Sequence, residues 1–184
     1  MRFRPLSVTL AALAMVSVSC TQDSITGPAS SGLSPRLGVS ASAVSLPAVR
    51  ISEFHYDNAS TDTGEKIEIS YPTGTDLTNW RIVLVNGSNG LQYDSDLVTG
   101  GVATSCGARS VTVFSYPANG IQNGSPDGIA LQRPDGTIAE FISYEGGMTG
   151  AGAPVLGLTA RDIGTFQPDN TPSGQSLQLD SAGT

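Results

Sequence analysis

The sequence predicts an all-β protein, either a sandwich or a barrel, on three observations. Glycine and proline are abundant (22 and 11 of 184 residues) and aromatics make up 6%. No long pattern of Leu, Ala, Glu and Lys accompanies them, which favours strands joined by turns. Short runs alternate apolar and polar residues with a period of two, the mark of strands with one face buried. Asn-Gly and Asp-Gly pairs punctuate these runs and supply the positive φ values that tight hairpins need.

In chain order, the start is an export signal. Arg2 and Arg4 precede an apolar run over 6–18 and small residues before Cys20, a stretch too short to span a membrane as a helix. Ser17-Val18-Ser19-Cys20 resembles the bacterial lipobox, although Ser17 stands where Leu is usual. That resemblance makes Cys20 the lipidated first residue of the mature chain, and Thr21 after it reads as an outer-membrane address. Cleavage after Ser19 with free secretion is the alternative. Residues 20–48 read as a linker, since Ser, Gly, Pro and Ala fill 17 of the 28 positions from Thr21 to Ala48. Such a stretch buries too little apolar surface to offset its ordering entropy.

The domain is expected over 49–184, with strands at 49–56, 65–71, 80–86, 91–96, 110–116, 128–132, 137–144 and 176–179. Val49 and Ile51 share one side of the first run, and Ile67 and Ile69 one side of the second. Asn86-Gly87 and Asn89-Gly90 should close a hairpin between 80–86 and 91–96. Pro134-Asp135-Gly136 should close one between 128–132 and 137–144. The stretch 146–173 reads as a long excursion with one helical turn near 159–163. Trp80, the single tryptophan, reads as a core anchor, because a binding platform would bring other exposed aromatics.

The charged residues narrow the function. The formal charge of −7 becomes −9 once Arg2 and Arg4 leave with the signal, seven bases against sixteen acids. The six bases from Arg50 onward lie singly, so direct nucleic-acid binding is disfavoured. His55 is the only histidine, which rules out a multi-histidine metal centre and leaves one histidine for any triad. No Gly-x-Ser-x-Gly elbow occurs. His55 reads as a surface strand residue, Asp127-Gly128 as turn chemistry and Cys106 as a solitary thiol in a loop. No catalytic constellation is read, and no cofactor is required.

Continuing the strand parity places Glu53 and Glu65 on the apolar sides, where a carboxylate needs a partner. With Asp57, Asn58 and Asp62 they form the one candidate site for a hard cation such as calcium, which takes six to eight oxygens. The spacing is not that of an EF-hand, and solvated turn chemistry is the competing reading.

Six segments in order carry a resemblance over residues 49–179. They are Ile51-Ser52-Glu53, Gly64-Glu65-Lys66-Ile67-Glu68-Ile69, Asp76-Leu77-Thr78-Asn79-Trp80, Pro126-Asp127-Gly128-Ile129-Ala130-Leu131, Phe141-Ile142-Ser143-Tyr144-Glu145-Gly146 and Gly174-Gln175-Ser176-Leu177-Gln178-Leu179. Together they resemble the lamin-tail domain in its bacterial form. Lys66 stands where that family usually has an apolar residue, and Asn79 where Gly is common. The resemblance implies an immunoglobulin-like β-sandwich and a non-catalytic module, often attached in secreted proteins to nucleases or phosphoesterases. Similar domains run past the SLQL segment to a further strand, whereas this chain stops five residues after Leu179. A truncated domain with an unpaired edge, open to self-association, is therefore expected. The expected function is docking to a protein or extracellular polymer from an exported, surface-tethered or secreted position. The alternative is the N-terminal part or remnant of a secreted nuclease or phosphoesterase.

Overall fold

The computed structural model describes residues 47–172 and 174–179, so the stretch read as an export signal, Cys20 and nearly all of the stretch read as a linker lie outside the described residues. Ten strands follow: β1 Arg50–His55, β2 Lys66–Pro72, β3 Arg81–Asn86, β4 Leu91–Leu97, β5 Val102–Cys106, β6 Arg109–Ser115, β7 Asp127–Gln132, β8 Ile138–Tyr144, β9 Arg161–Asp162 and β10 Leu177–Gln178. Among the described residues the one helical element is a 3-10 turn at Val98–Gly100, and no helix is long and apolar enough to cross a membrane. The strands form two sheets, β10-β1-β2-β6-β5 and β4-β3-β7-β8-β9. Every pair is antiparallel except β8 with β9. Ile51, Phe54, Ile67 and Ile69 of the first sheet pack against Ile82, Leu84, Ile129, Leu131, Ile142 and Tyr144 of the second. The protein is a β-sandwich.

The second sheet is covered on both faces. Val83, Val85, Ala130 and Phe141 point away from the main core and pack under Met148, Val155 and Ala160. That is why β3 reads Ile-Val-Leu-Val without alternation: a strand buried on both faces has no polar side. The excursion after β8 supplies the cover. Instead of the expected helical turn near 159–163 it forms β9, together with bridges from Thr149 to Thr159 and Gly150 to Leu156. Full burial of each large apolar side chain contributes about 1.5–3 kcal/mol, enough to hold a loop that has little ladder of its own.

A bulge corrects the parity expected for Glu53. The β1–β2 register slips between Ile51 and Glu53, so Ile51 opposes Ile69 while Phe54, not Glu53, opposes Ile67. One extra residue flips every later side chain to the other face. Phe54 therefore enters the core, and the half-buried Glu53 accepts a hydrogen bond from Ser176. Beside the bulge, the Ile51 amide donates to Glu140 Oε2 on β8 at 2.8 Å, a bond from one sheet to the other. Glu140 Oε1 meets Arg161 Nη2 at 3.3 Å.

Both expected hairpins form, β3–β4 and β7–β8. Gly90 supplies the positive φ of the first, at +68°. Gly87 is required for a different reason, since a Cβ there would stand 1.8 Å from the Pro126 carbonyl oxygen. Asn79 adopts φ +62° before Trp80. Trp80 is half-buried and packs against the main core from its rim. The segment read as a loop around Cys106 is β5, paired with β6 and exposed over 102–105. Cys106 is disulfide-bonded, which corrects the solitary-thiol reading.

Candidate functional site

The end of β8 and the return of the excursion border an open cleft of about 440 Å3, lined by Ser125, Glu145, Gly146 and residues between Asp162 and Asp169. Three features of the chain build it. β8 stops because Glu145 turns into the left-handed region at φ +60°, followed by Gly146 at +131°. For a side chain other than Gly this conformation is strained and persists only where its surroundings fix it. Tyr56, just beyond β1, supplies the fixing: its hydroxyl donates to Glu145 Oε1 at 2.9 Å, while Ser125 Oγ donates to the Glu145 carbonyl at 3.0 Å. After β9, Asp162 accepts the Gly164 amide at 2.9 Å and turns the chain toward Phe166.

Gln167 anchors that return. It is 2% exposed, and its Oε1 accepts from the Tyr56 amide at 2.8 Å and more weakly from the Asp57 amide. Its Nε2 lies 2.9 Å from His55 Nδ1 and donates to the Gln175 carbonyl. Its own amide donates to Tyr56 Oη at 2.8 Å. One side chain thus does what a strand pairing would do. His55 lies beneath this strap, 1% exposed, and is not the surface residue the strand pattern suggested.

The electrostatics of the cleft are one-sided. Glu145, Asp162 and Asp169 line it, and no Lys, Arg or His does. Burial raises the Glu145 carboxyl above its ordinary range, the Tyr56 hydrogen bond opposes that shift, and Asp57, Asp127 and Asp169 add to it. Burial likewise raises the Tyr56 hydroxyl, so it stays a donor at neutral pH. Phe166 stands at the cleft 57% exposed. Carboxylates beside an exposed ring suit a cation with an apolar stem, whose head pairs with the acids and whose stem lies on the ring.

Of the residues proposed for calcium, Asp57 and Asp62 stay together, Glu65 is turned to backbone amides and Glu53 lies elsewhere. Asp57 and Asp62 are buried and share Asn123 Nδ2, at 3.5 and 3.1 Å. Asp62 also accepts the Asn58 amide, and Asn58 accepts the Thr63 amide, both at 2.8 Å. Glu65 is fully buried and accepts the amides of Gly120 and Ile121 at 2.7 and 2.9 Å. Burial raises the Asp57 and Glu65 carboxyls, with those hydrogen bonds opposing. Glu53 sits apart, beside Ser176. Among the described residues no group of three or more His, Cys, Asp or Glu side chains is placed to hold a metal ion.

Asp127 also differs from its reading as turn chemistry. It opens β7, is 2% exposed, and ties the β3–β4 turn to the preceding loop through the amides of Gly87 and Gly124. Asp162, Phe166, Gln167 and Asp169 carried no signal in the sequence, because they are scattered through a turn-rich stretch whose course only the fold decides. Comparison with protein-family models, with curated proteins and with solved structures gives no match.

Proposed function

We propose that this sandwich is a non-catalytic docking module that receives a basic segment of a protein partner in the cleft between Glu145 and Asp169. The observation that carries the reading is the cleft itself: about 440 Å3, lined by three carboxylates, free of basic side chains and edged by the exposed ring of Phe166. A lysine or arginine side chain matches it in charge and in having an apolar stem. The strap that forms one wall is pinned at Gln167, so the site is largely preformed, as good pockets are. The sequence resemblance to the bacterial lamin-tail domain supports an immunoglobulin-like type of sandwich and an interaction role. The export signal supports a place outside the cytoplasm.

The test is an NMR titration of the purified chain with oligolysine and, separately, oligoglutamate. Oligolysine should shift the amides of 145–146, 162–167 and 169 at low salt and lose its hold as salt rises. Absence of shifts there, or equal shifts from oligoglutamate, would refute the reading.

A second reading has its own observation. β5 is an edge strand with no charged residue, exposed over Val102–Ser105, whereas β4, an edge strand of the other sheet, carries Asp94 and Asp96. An uncharged edge of this kind admits an added strand from a partner or a second copy. A Thr104→Pro substitution should abolish such a contact and leave oligolysine binding untouched. Membrane attachment through Cys20 is tested by fatty-acid labelling of the wild type against Cys20→Ala. Labelling thus separates an anchored from a freely secreted protein.

A further inference from the structure

The chain contains four Asn-Gly pairs, Asn86-Gly87, Asn89-Gly90, Asn119-Gly120 and Asn123-Gly124. Each is a chemical weak point. The glycine nitrogen, on losing its proton, attacks the asparagine Cγ; a C–N bond forms, ammonia leaves, and a succinimide ring closes. Water then opens the ring to aspartate or isoaspartate, and no other reactant is needed. Glycine favours the reaction because no side chain hinders the approach of its nitrogen.

In this fold three of the four nitrogens are occupied by two buried carboxylates. The Gly87 amide donates to Asp127 Oδ1 at 2.9 Å and the Gly124 amide to Asp127 Oδ2 at 2.7 Å. The Gly120 amide donates to Glu65 Oε2 at 2.7 Å. Asp127 is 2% exposed and Glu65 fully buried. The fourth nitrogen, on Gly90, donates to the Asn86 carbonyl instead. We propose that Asp127 and Glu65 are chemical guards, holding Asn86, Asn119 and Asn123 as latent deamidation sites.

The physical reason is the charge of the nucleophile. Attack requires an anionic nitrogen, and forming one against a carboxylate sets two like charges together at hydrogen-bond distance in a buried site. The hydrogen bond is charge-assisted and is lost when the proton leaves. At Asn123 the guard protects more than one residue, since its side-chain amide is the donor shared by Asp57 and Asp62. A carboxylate at 123 would replace that donor with a third negative charge.

The experiment is peptide mapping by mass spectrometry after incubation of the full chain at mildly alkaline pH. Wild type, Asp127→Ala and Glu65→Ala are compared. Asp127→Ala should speed deamidation at Asn86 and Asn123 on the order of tenfold, the rate equivalent of one charge-assisted hydrogen bond, and leave Asn119 and Asn89 unchanged. Glu65→Ala should speed Asn119 alone. Acceleration of all four sites together by either variant would mean that the fold as a whole protects them, and would overturn the guard assignment. Unchanged rates at the paired sites would overturn it equally. Should either variant fail to fold, wild type in buffer is compared with wild type in urea. Folding must then slow Asn86, Asn119 and Asn123 more than Asn89, and equal slowing at all four sites would contradict the proposal.

Discussion

Glu140 shows how one side chain can join two sheets. Its carboxylate accepts the Ile51 amide at the bulge and meets Arg161 on the neighbouring strand. Burial raises its pKa, and the Ile51 hydrogen bond followed by Arg161 oppose the shift. Glu140→Ala leaves a buried amide without an acceptor, and the expected loss is about 1–3 kcal/mol by urea unfolding. A loss near zero would remove the inter-sheet bond from the account. Gly87→Ala drives a Cβ into the Pro126 carbonyl and should cost at least about 1–3 kcal/mol, read in the same assay. The sequence made Glu65 legible as a buried acid in need of a partner, and its parity was correct. The same reasoning misplaced Glu53, because the inserted Ser52 flips the strand and a bulge leaves no mark in residue type. Gln167 was invisible for a related reason: a polar residue in a Pro- and Asp-rich stretch looks like every solvated loop residue until the fold brings Tyr56 to it.

Strands bounded by turn chemistry were the readable elements. Asn-Gly and Pro-Asp-Gly fixed both hairpins, since few residues other than Gly and Asn reach the φ these turns require. β5 was missed because its residues face solvent on both sides, which removes the alternation a strand normally shows. β9 was missed because two residues make no pattern; it exists only because β8 offers Ile142 and Ser143 for pairing. The excursion behaves as an element in its own right, pinned at one end by Gln167 and along its length by Met148, Val155 and Ala160. Gln167→Ala should release the 164–172 strap, raising amide exchange and proteolytic cutting there while the sheets stay protected. Equal protection in variant and wild type would show that the apolar cover alone holds it.

Charge acts on the molecule as a whole. Seven carboxyls, Asp57, Glu65, Glu68, Asp96, Asp127, Glu140 and Glu145, are raised above their ordinary values, with burial the largest cause in each. Two exposed carboxyls, Asp76 and Asp135, are lowered by their hydrogen bonds to Thr78 and Thr137. A raised carboxyl binds its proton more tightly folded than unfolded. Stability from these groups is therefore present at low pH and lost as pH climbs through the folded pKa. The two lowered groups act in the opposite sense but lie in solvent, where such effects are screened. The melting temperature should accordingly be higher at about pH 5 than at about pH 7. A fall on going down to pH 5 would contradict the burial-dominated balance. The same excess of negative charge, concentrated without counterparts at one cleft, is what the proposed function depends on.

The measurement that reaches that claim most directly is calorimetric titration of oligolysine into wild type and into the triple variant Glu145→Gln, Asp162→Asn, Asp169→Asn. The account predicts salt-sensitive binding to the wild type at one site per chain, and its loss in the variant at a melting temperature no lower than that of the wild type. Equal affinity for both proteins would show that the cleft is not where a basic partner docks.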